Sequence, residues 1–259
     1  MRRRRLVLAA AVLAGFGVAK LPLERMASAK LQQAGMQAPF VEVGLWENLG
    51  QMGFAAALGG LRALVAGVTY MRAYMAFEEV EWAQVDSFFQ LTTRLQPRDE
   101  SYWDEASWHM AFNAASHYLH RPDIDPVTRG KLYHAHIQRG LEILEEGLRY
   151  NPGQIRLLAR LGDTHARRTL QPELAAKVYL QVAELGGPPR YRRLAAYEFL
   201  KTADRALWEG ALAILREEYV AGRKFPSVIA GIKDLERRLQ IPEVERIPDP
   251  EPPGPGMAP

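Results

Sequence analysis

Two groups of side chains in this 259-residue chain have types and spacing that suit chemistry. His109, His117 and His120 fall at i, i+8 and i+11, which places them within about 80° of one another around a helix. Imidazoles converging from one face can hold zinc or another divalent ion. Axial distance opposes a three-histidine site, because an eight-residue separation carries His117 about 12 Å along the helix from His109. His117 and His120 remain as metal candidates, with Asp123 or Asp125 beside them. The competing reading makes them solvated or capping residues at a helix end. His134 and His136 point to different faces and suggest no site.

The second group is Arg156 and Arg160, one helical turn apart and facing the same way. A guanidinium is a planar fork that bonds a carboxylate bidentately, so such a pair suits an acidic ligand. An ordinary solvated or salt-bridged helix face is the alternative. Glu145 and Glu146 are adjacent and diverge around a helix, which disfavours paired acid–base use. The chain has no glycine-rich phosphate loop, no Gly-x-Ser-x-Gly elbow and no His-Glu-x-x-His. With no cysteine, it has no disulfide, thiolate ligand or thiol nucleophile. These residues point to binding rather than catalysis, and to no cofactor. A metal-binding or enzymatic accessory using the His109 to His120 helix is the alternative.

The elements that position these groups read as all-α. Ala, Leu, Arg and Glu dominate, and Val, Ile and Thr are sparse. The chain carries 33 Lys and Arg against 30 Asp and Glu, and setting aside Arg2 to Arg5 leaves 29 against 30. A near-neutral body is not the footprint of a nucleic-acid binder. The four arginines instead precede Leu6 to Ala19, an unbroken apolar run of 14 residues. As a helix this run spans about 21 Å, short of the ~30 Å hydrocarbon core. Lys20 can snorkel, and Leu21 and Leu23 extend the segment.

The reading is a signal anchor over 1–23 and a juxtamembrane linker over 24–43, with a cleaved signal peptide as the alternative. The small-x-small sites Gly17-Val-Ala19 and Ala27-Ser-Ala29 are poorly placed for cleavage. Under both readings the arginines stay inside and the following chain is exported. The expectation is a single-pass protein of the inner membrane with its helical domain facing the periplasm. Met52 to Met75 is a second apolar stretch, but Arg62 near its middle would cost ~2.5–3.5 kcal/mol on insertion. It reads as two tightly packed helices bent at Gly59 and Gly60. A membrane hairpin returning the body to the cytoplasm is the alternative.

Periodic signals follow from Trp82. Helix-closing prolines fall at 97, 152 and 188, intervals of 55 and 36, which fit a 34-residue period with insertions of 21 and two. In the longer insertion, Asp125 as N-cap and Pro126 at the first helical position start a helix expected to run from Pro126 to Tyr150. Asn151-Pro152 ends it. Counting from the prolines aligns Leu161-Gly162 with Ala176, Leu180, Ala183 and Pro188. It also aligns Trp103 and Ala106-Ser107 with Gly140, Leu144, Gly147 and Pro152. The first unit keeps Val85, Phe89 and Pro97, and the fourth begins near Tyr191 with Leu194, Ala211 and Leu215.

From about 66 to 222 the chain therefore resembles the tetratricopeptide-repeat family. The resemblance implies an α-solenoid of three to four helical hairpins within 44–240, with small residues where the helices of a hairpin meet. Val228, Ile229, Ile232, Leu235 and Leu239 lie on one face of an expected capping helix. Seven prolines in the 19 residues 241–259 suggest a disordered or extended tail.

By that resemblance the first helix of each hairpin lines a concave groove. Ser101, Asp104, Glu105, Trp108, Ala111 and Phe112 come from the second unit, and Arg156, Ala159, Arg160, Asp163, Ala166 and Arg167 from the third. Arg192 begins the fourth. Arg156 and Arg160 resemble the basic pair with which some members clamp a terminal carboxylate. Glu105 stands where that clamp has asparagine, and it would repel a carboxylate or pair with an arginine. Trp108 and Phe112 are either groove or core residues, and Arg168 reads as an exposed position. The implied function is a membrane-anchored, non-catalytic scaffold binding a protein or peptide through Arg156, Arg160, Arg167, Arg192, Glu105, Trp108 and Phe112.

Overall fold

A computed structural model describes residues 61–249, and throughout them the regular structure is helical. The N-terminal anchor and linker, the Gly59-Gly60 bend and the last ten residues lie outside the described residues. Two compact units divide at Asp99 and Glu100.

The described part of the first unit is a hairpin of α1 (Arg62–Glu78) and α2 (Trp82–Leu95). Small residues Ala66, Thr69, Ala73 and Ala76 form the buried face of α1, and α2 buries Trp82, Val85 and Phe89. Thr69 and Thr92 share a hydrogen bond of 2.8 Å between the two helices. The opposite side of α1 exposes Leu64, Val68, Met71 and Met75. Among the described residues no helix is long and apolar enough to cross a membrane.

The second unit begins with a first helix in three parts. These are α3 (Glu100–Trp108), a π-helical segment π1 (His109–Ala114) and α4 (Ala115–Leu119). Then come α5 (Pro126–Tyr150), α6 (Ile155–Thr164) continuing into π2 (His165–Thr169), and α7 (Pro172–Glu184). The last helices are α8 (Arg190–Phe199), α9 (Arg205–Val220) and α10 (Pro226–Arg238). Each packs on its neighbours in sequence, and α3 also meets α6.

Helix α5 has the expected bounds for the expected reason. Asp125 accepts a hydrogen bond from the Thr128 N–H at 3.0 Å, and Pro126 occupies the first turn. Glycines set how closely the helices approach. A Cβ added at Gly140 would lie 2.6 Å from the Ala111 Cβ, and one at Gly147 would lie 2.8 Å from the Trp103 ring. At Gly162 it would lie 2.5 Å from the ring of Tyr179. The space opposite Gly162 is thus filled by Tyr179, whereas the repeat frame singles out its neighbour Leu180, which is half-buried.

From α6 onward a continuous core runs through Leu158, Tyr179, Ala195, Leu215 and Ile232. Val228, Ile232, Leu235 and Leu239 of the expected cap are buried, and Ile229 is half-buried. Three carboxylates are also buried along this end, each with a cationic partner. Glu198 takes Lys201 at 2.6 Å, Glu218 takes Arg223 at 2.7 Å and Arg193 at 2.9 Å, and Glu236 takes Arg216 at 3.0 Å. Pairing of this kind offsets the desolvation that an isolated buried charge would suffer.

The described start of the tail differs from an unpacked segment. Ile241 and Ile247 pack against the core, and residues Glu243–Glu245 form one 3-10 turn. Polar contacts from α9 and α10 hold this stretch in place.

Candidate binding groove

The first helices of two consecutive hairpins, α3–π1 and α6–π2, run alongside each other in a fixed register. Asp104 meets Arg160, and Phe112 meets Arg168, each pair separated by 56 residues. In a regular α-helix positions eight apart, such as 160 and 168, are about 80° out of phase. A π turn bonds i to i+5 and takes up about one residue more, so eight residues come close to two full turns. Both first helices switch to π geometry between these two contacts. The π segments therefore bring the contacts onto one line.

Along that line the side chains interleave. Arg160 donates to Asp104 through Nε at 2.6 Å and Nη2 at 3.3 Å. The same guanidinium lies 4.6 Å from the Trp108 ring centroid. Trp108 stacks on Phe112 with centroids 4.3 Å apart and planes 18° apart. Arg168 then covers Phe112 at 4.4 Å and donates to the Phe112 carbonyl at 3.3 Å. Arg168, read from the sequence as exposed, is thus half-buried in this ladder. Phe112 is buried, and Trp108 retains 36% exposure.

The ladder borders an open cavity of about 560 Å³ where α3, α6 and the start of α8 come together. Asp104, Arg156, Arg160, Asp163, Arg190 and Tyr191 line it, with Gln154 and Ile155 at the beginning of α6. The side chains of Asp104 and Arg160 are only 12% and 22% exposed, so their pair is shielded from solvent. Arg156 approaches the same carboxylate at 3.7 Å but is 56% exposed. Asp163 accepts from the Tyr179 hydroxyl at 2.7 Å, and burial with this bond raises the phenol well above its ordinary range. Arg190 donates to the Tyr191 hydroxyl at 3.4 Å and lies 5.1 Å from the Tyr191 ring centroid.

Arg156, Arg160, Trp108 and Phe112 are therefore neighbours along these two helices. The carboxylate that meets Arg160 is that of Asp104, and Glu105 is half-buried one residue further on. Arg167 is exposed on π2. Arg192 pairs with Glu217 of α9 at 2.6 Å and is not among the cavity's lining residues. Arg190 stands there instead. A frame counted from Pro188 starts at Tyr191, whereas α8 begins directly after Pro188-Pro189 and brings Arg190 to the cavity. Ala111 faces Gly140 across the hairpin.

The histidines are dispersed. His109 is buried in π1, where its Nδ1 lies 3.1 Å from the Asn113 amide nitrogen, and burial lowers its pKa to about 4. His117 Nε2 lies 3.3 Å from Arg121, and burial followed by that cation lowers its pKa. His120 Nδ1 lies 2.7 Å from the Ser116 carbonyl oxygen. Asp123 is held by Arg121 at 2.6 and 2.5 Å, which lowers its pKa to about 2, and Asp125 caps α5. Among the described residues no group of three or more His, Asp or Glu is placed to hold a metal ion.

No protein-family model matches the chain, and no curated protein matches it either.

Proposed function

We propose that this protein is a non-catalytic scaffold of tetratricopeptide-like hairpins that binds a protein or peptide segment in the cavity between α3, α6 and α8. It is held at the inner membrane by its N-terminal segment, with the helical domain in the periplasm. The observation that carries the binding reading is the set of three arginines around one cavity, of which only Arg160 is neutralised in a bidentate pair. Arg156 and Arg190 are the groups that would receive an acidic side chain or terminal carboxylate. Asp104 lowers the site's appetite for acids by occupying Arg160. Tyr191 and Ile155 supply apolar surface beside the charges.

The test is capture from native membranes by the full-length protein, repeated with Arg156→Glu and Arg190→Glu. A partner retained by wild type and lost by both variants, with helix content unchanged, supports the cavity. A partner retained equally by all three would place binding elsewhere. Asp104→Asn frees Arg160 and should strengthen capture of an acidic segment if the variant stays folded. For topology, a C-terminal alkaline phosphatase fusion should be active, and an inactive one would mean that the body faces the cytoplasm.

A further inference from the structure

The stretch Ile241–Asp249 is held on α9 and α10 by side chains that read its backbone, together with the packing of Ile241 and Ile247 on the core. Glu236 Oε1 accepts the Ile247 N–H at 3.0 Å, and Lys233 donates to the Ile247 carbonyl. Arg216 donates to the Glu245 carbonyl at 2.8 Å while also bonding Glu236 at 3.0 Å. Lys233 pairs with Asp249 at 2.7 Å, two residues beyond the anchored isoleucine. The Ile247 side chain packs on the core, whereas Glu243, Val244, Glu245, Arg246, Pro248 and Asp249 are exposed. Ile241 still bonds the Glu236 carbonyl of α10 through its N–H, and the next backbone–backbone bonds, Glu245 N–H to Pro242 and Arg246 N–H to Glu243, are local ones within the single turn.

This is how a protein binds an extended peptide. One residue has its N–H, carbonyl and side chain all read, and the next is a proline, which holds its predecessor extended. Ile241-Pro242-Glu243 and Ile247-Pro248-Asp249 repeat the same order of branched apolar residue, proline and acid. The receiving side is also built. Glu236 is 0% exposed, and its Oε2 is buried without a hydrogen bond, with the Lys233 ammonium 4.0 Å away. Removing the segment would strip Oε1 of the Ile247 N–H and leave Arg216 as its donor.

We propose that the α9–α10 surface is a peptide-binding site for a segment of the form branched apolar residue–proline–acidic residue, and that Ile247-Pro248-Asp249 fills it in cis. A partner segment with this pattern displaces the tail. The site is separate from the arginine-lined cavity and does not depend on it.

The test uses the full-length chain carrying Ile247→Asp and a fluorescein-labelled synthetic peptide of residues 244–251, followed by anisotropy. Release of the tail is read independently as faster tryptic cleavage after Arg246. A tethered segment has an effective concentration on the order of millimolar, so it suppresses a competitor of Kd ~100 µM about tenfold. The peptide should therefore bind the Ile247→Asp chain at least about tenfold more tightly than wild type. A peptide with serine at the Ile247 position should not bind, and adding Lys233→Ala to the Ile247→Asp chain should weaken binding with helix content unchanged. The proposal is overturned by a released tail with no peptide binding, by equal binding to wild type and variant, or by Arg246 remaining as protected as in wild type.

Discussion

Gly162 offers the sharpest test of how the hairpins close. A Cβ there would lie 2.5 and 2.7 Å from two ring carbons of Tyr179, well inside contact distance. The ring has little freedom to withdraw, since Tyr179 is 2% exposed and its hydroxyl is tied to Asp163 at 2.7 Å. Alanine in place of glycine would by itself favour the helix by ~1 kcal/mol. Overpacking costs ~1–3 kcal/mol, and detaching the hydroxyl from a charged acceptor adds ~1.5–3 kcal/mol. The clash wins, so Gly162→Ala should lose about 1.5–5 kcal/mol net and Gly162→Leu more.

At ~2–4 °C per kcal/mol for a domain of this size, the alanine variant should melt roughly 3–20 °C lower. Gly210→Ala is the matched control, because that glycine is exposed in α9 and nothing lies within 4 Å of its added Cβ. It should gain up to ~1 kcal/mol. Circular dichroism during thermal and urea unfolding reads both. Tyr179→Phe removes the tether on the ring, so Gly162→Ala should cost less in that background, a coupling that a double-mutant cycle measures. If Gly162→Ala were as stable as wild type, or more so, the close approach of α6 to α7 would not be what holds this hairpin.

Arg160→Ala strips the shielded Asp104 of its bidentate partner and should destabilise by about 2–3 kcal/mol, whereas Arg156→Ala should cost less than ~1 kcal/mol in the same urea titration. Burial holds the His109 pKa near 4 in the fold against 6.5 unfolded, so its contribution is complete above pH 6.5 and is lost as pH falls towards 4. His109→Gln should remove about 2 kcal/mol of the stability difference between pH 7 and pH 5, measured as urea midpoints. The Glu218 pKa is lowered from 4.5, first by its bond to Arg223 and then by Arg193, so its contribution is present above pH 4.5 and lost as pH falls through the lower folded value. Glu218→Gln should flatten the acid limb below pH 4.5, and an unchanged limb would mean that this buried carboxylate carries no acid sensitivity.

Punctuation was the most legible part of the fold. Asp125-Pro126 and Asn151-Pro152 are local signals, and they bound α5 at both ends. That small residues stand where the two helices of a hairpin close was legible at Gly140, Gly147 and Gly162. Choosing Tyr179 over Leu180 requires the rotation of α7 about its axis, which only packing sets. The π segments carry no composition of their own and arise from one first helix lying against the next. An α-helical count therefore puts Arg168 on an exposed face rather than over Phe112. The interval of 55 between Pro97 and Pro152 came within one residue of the true register of 56. The docking of Ile247 had no local sign, because proline density reads as an unpacked chain while Lys233 and Glu236 lie on the preceding helix.

The ladder also constrains what the groove can do. Arg160 and Arg168 hold the first helices in register, so a ligand that took Arg160 would have to displace Asp104, a partner already in place and shielded from water. A ligand met by Arg156 and Arg190 displaces only the longer Arg156–Asp104 contact at 3.7 Å and the Arg190–Tyr191 bond at 3.4 Å. Both arginines are exposed, and contacts of that kind are screened within ~10 Å at 0.1 M salt and contribute more to the rate of encounter than to affinity. Lasting affinity would then have to come from apolar contact with Ile155 and the edge of Tyr191 that reaches the cavity. A segment that is acidic and also carries an aromatic or branched residue fits these requirements. A purely acidic one would bind fast, weakly and only at low salt.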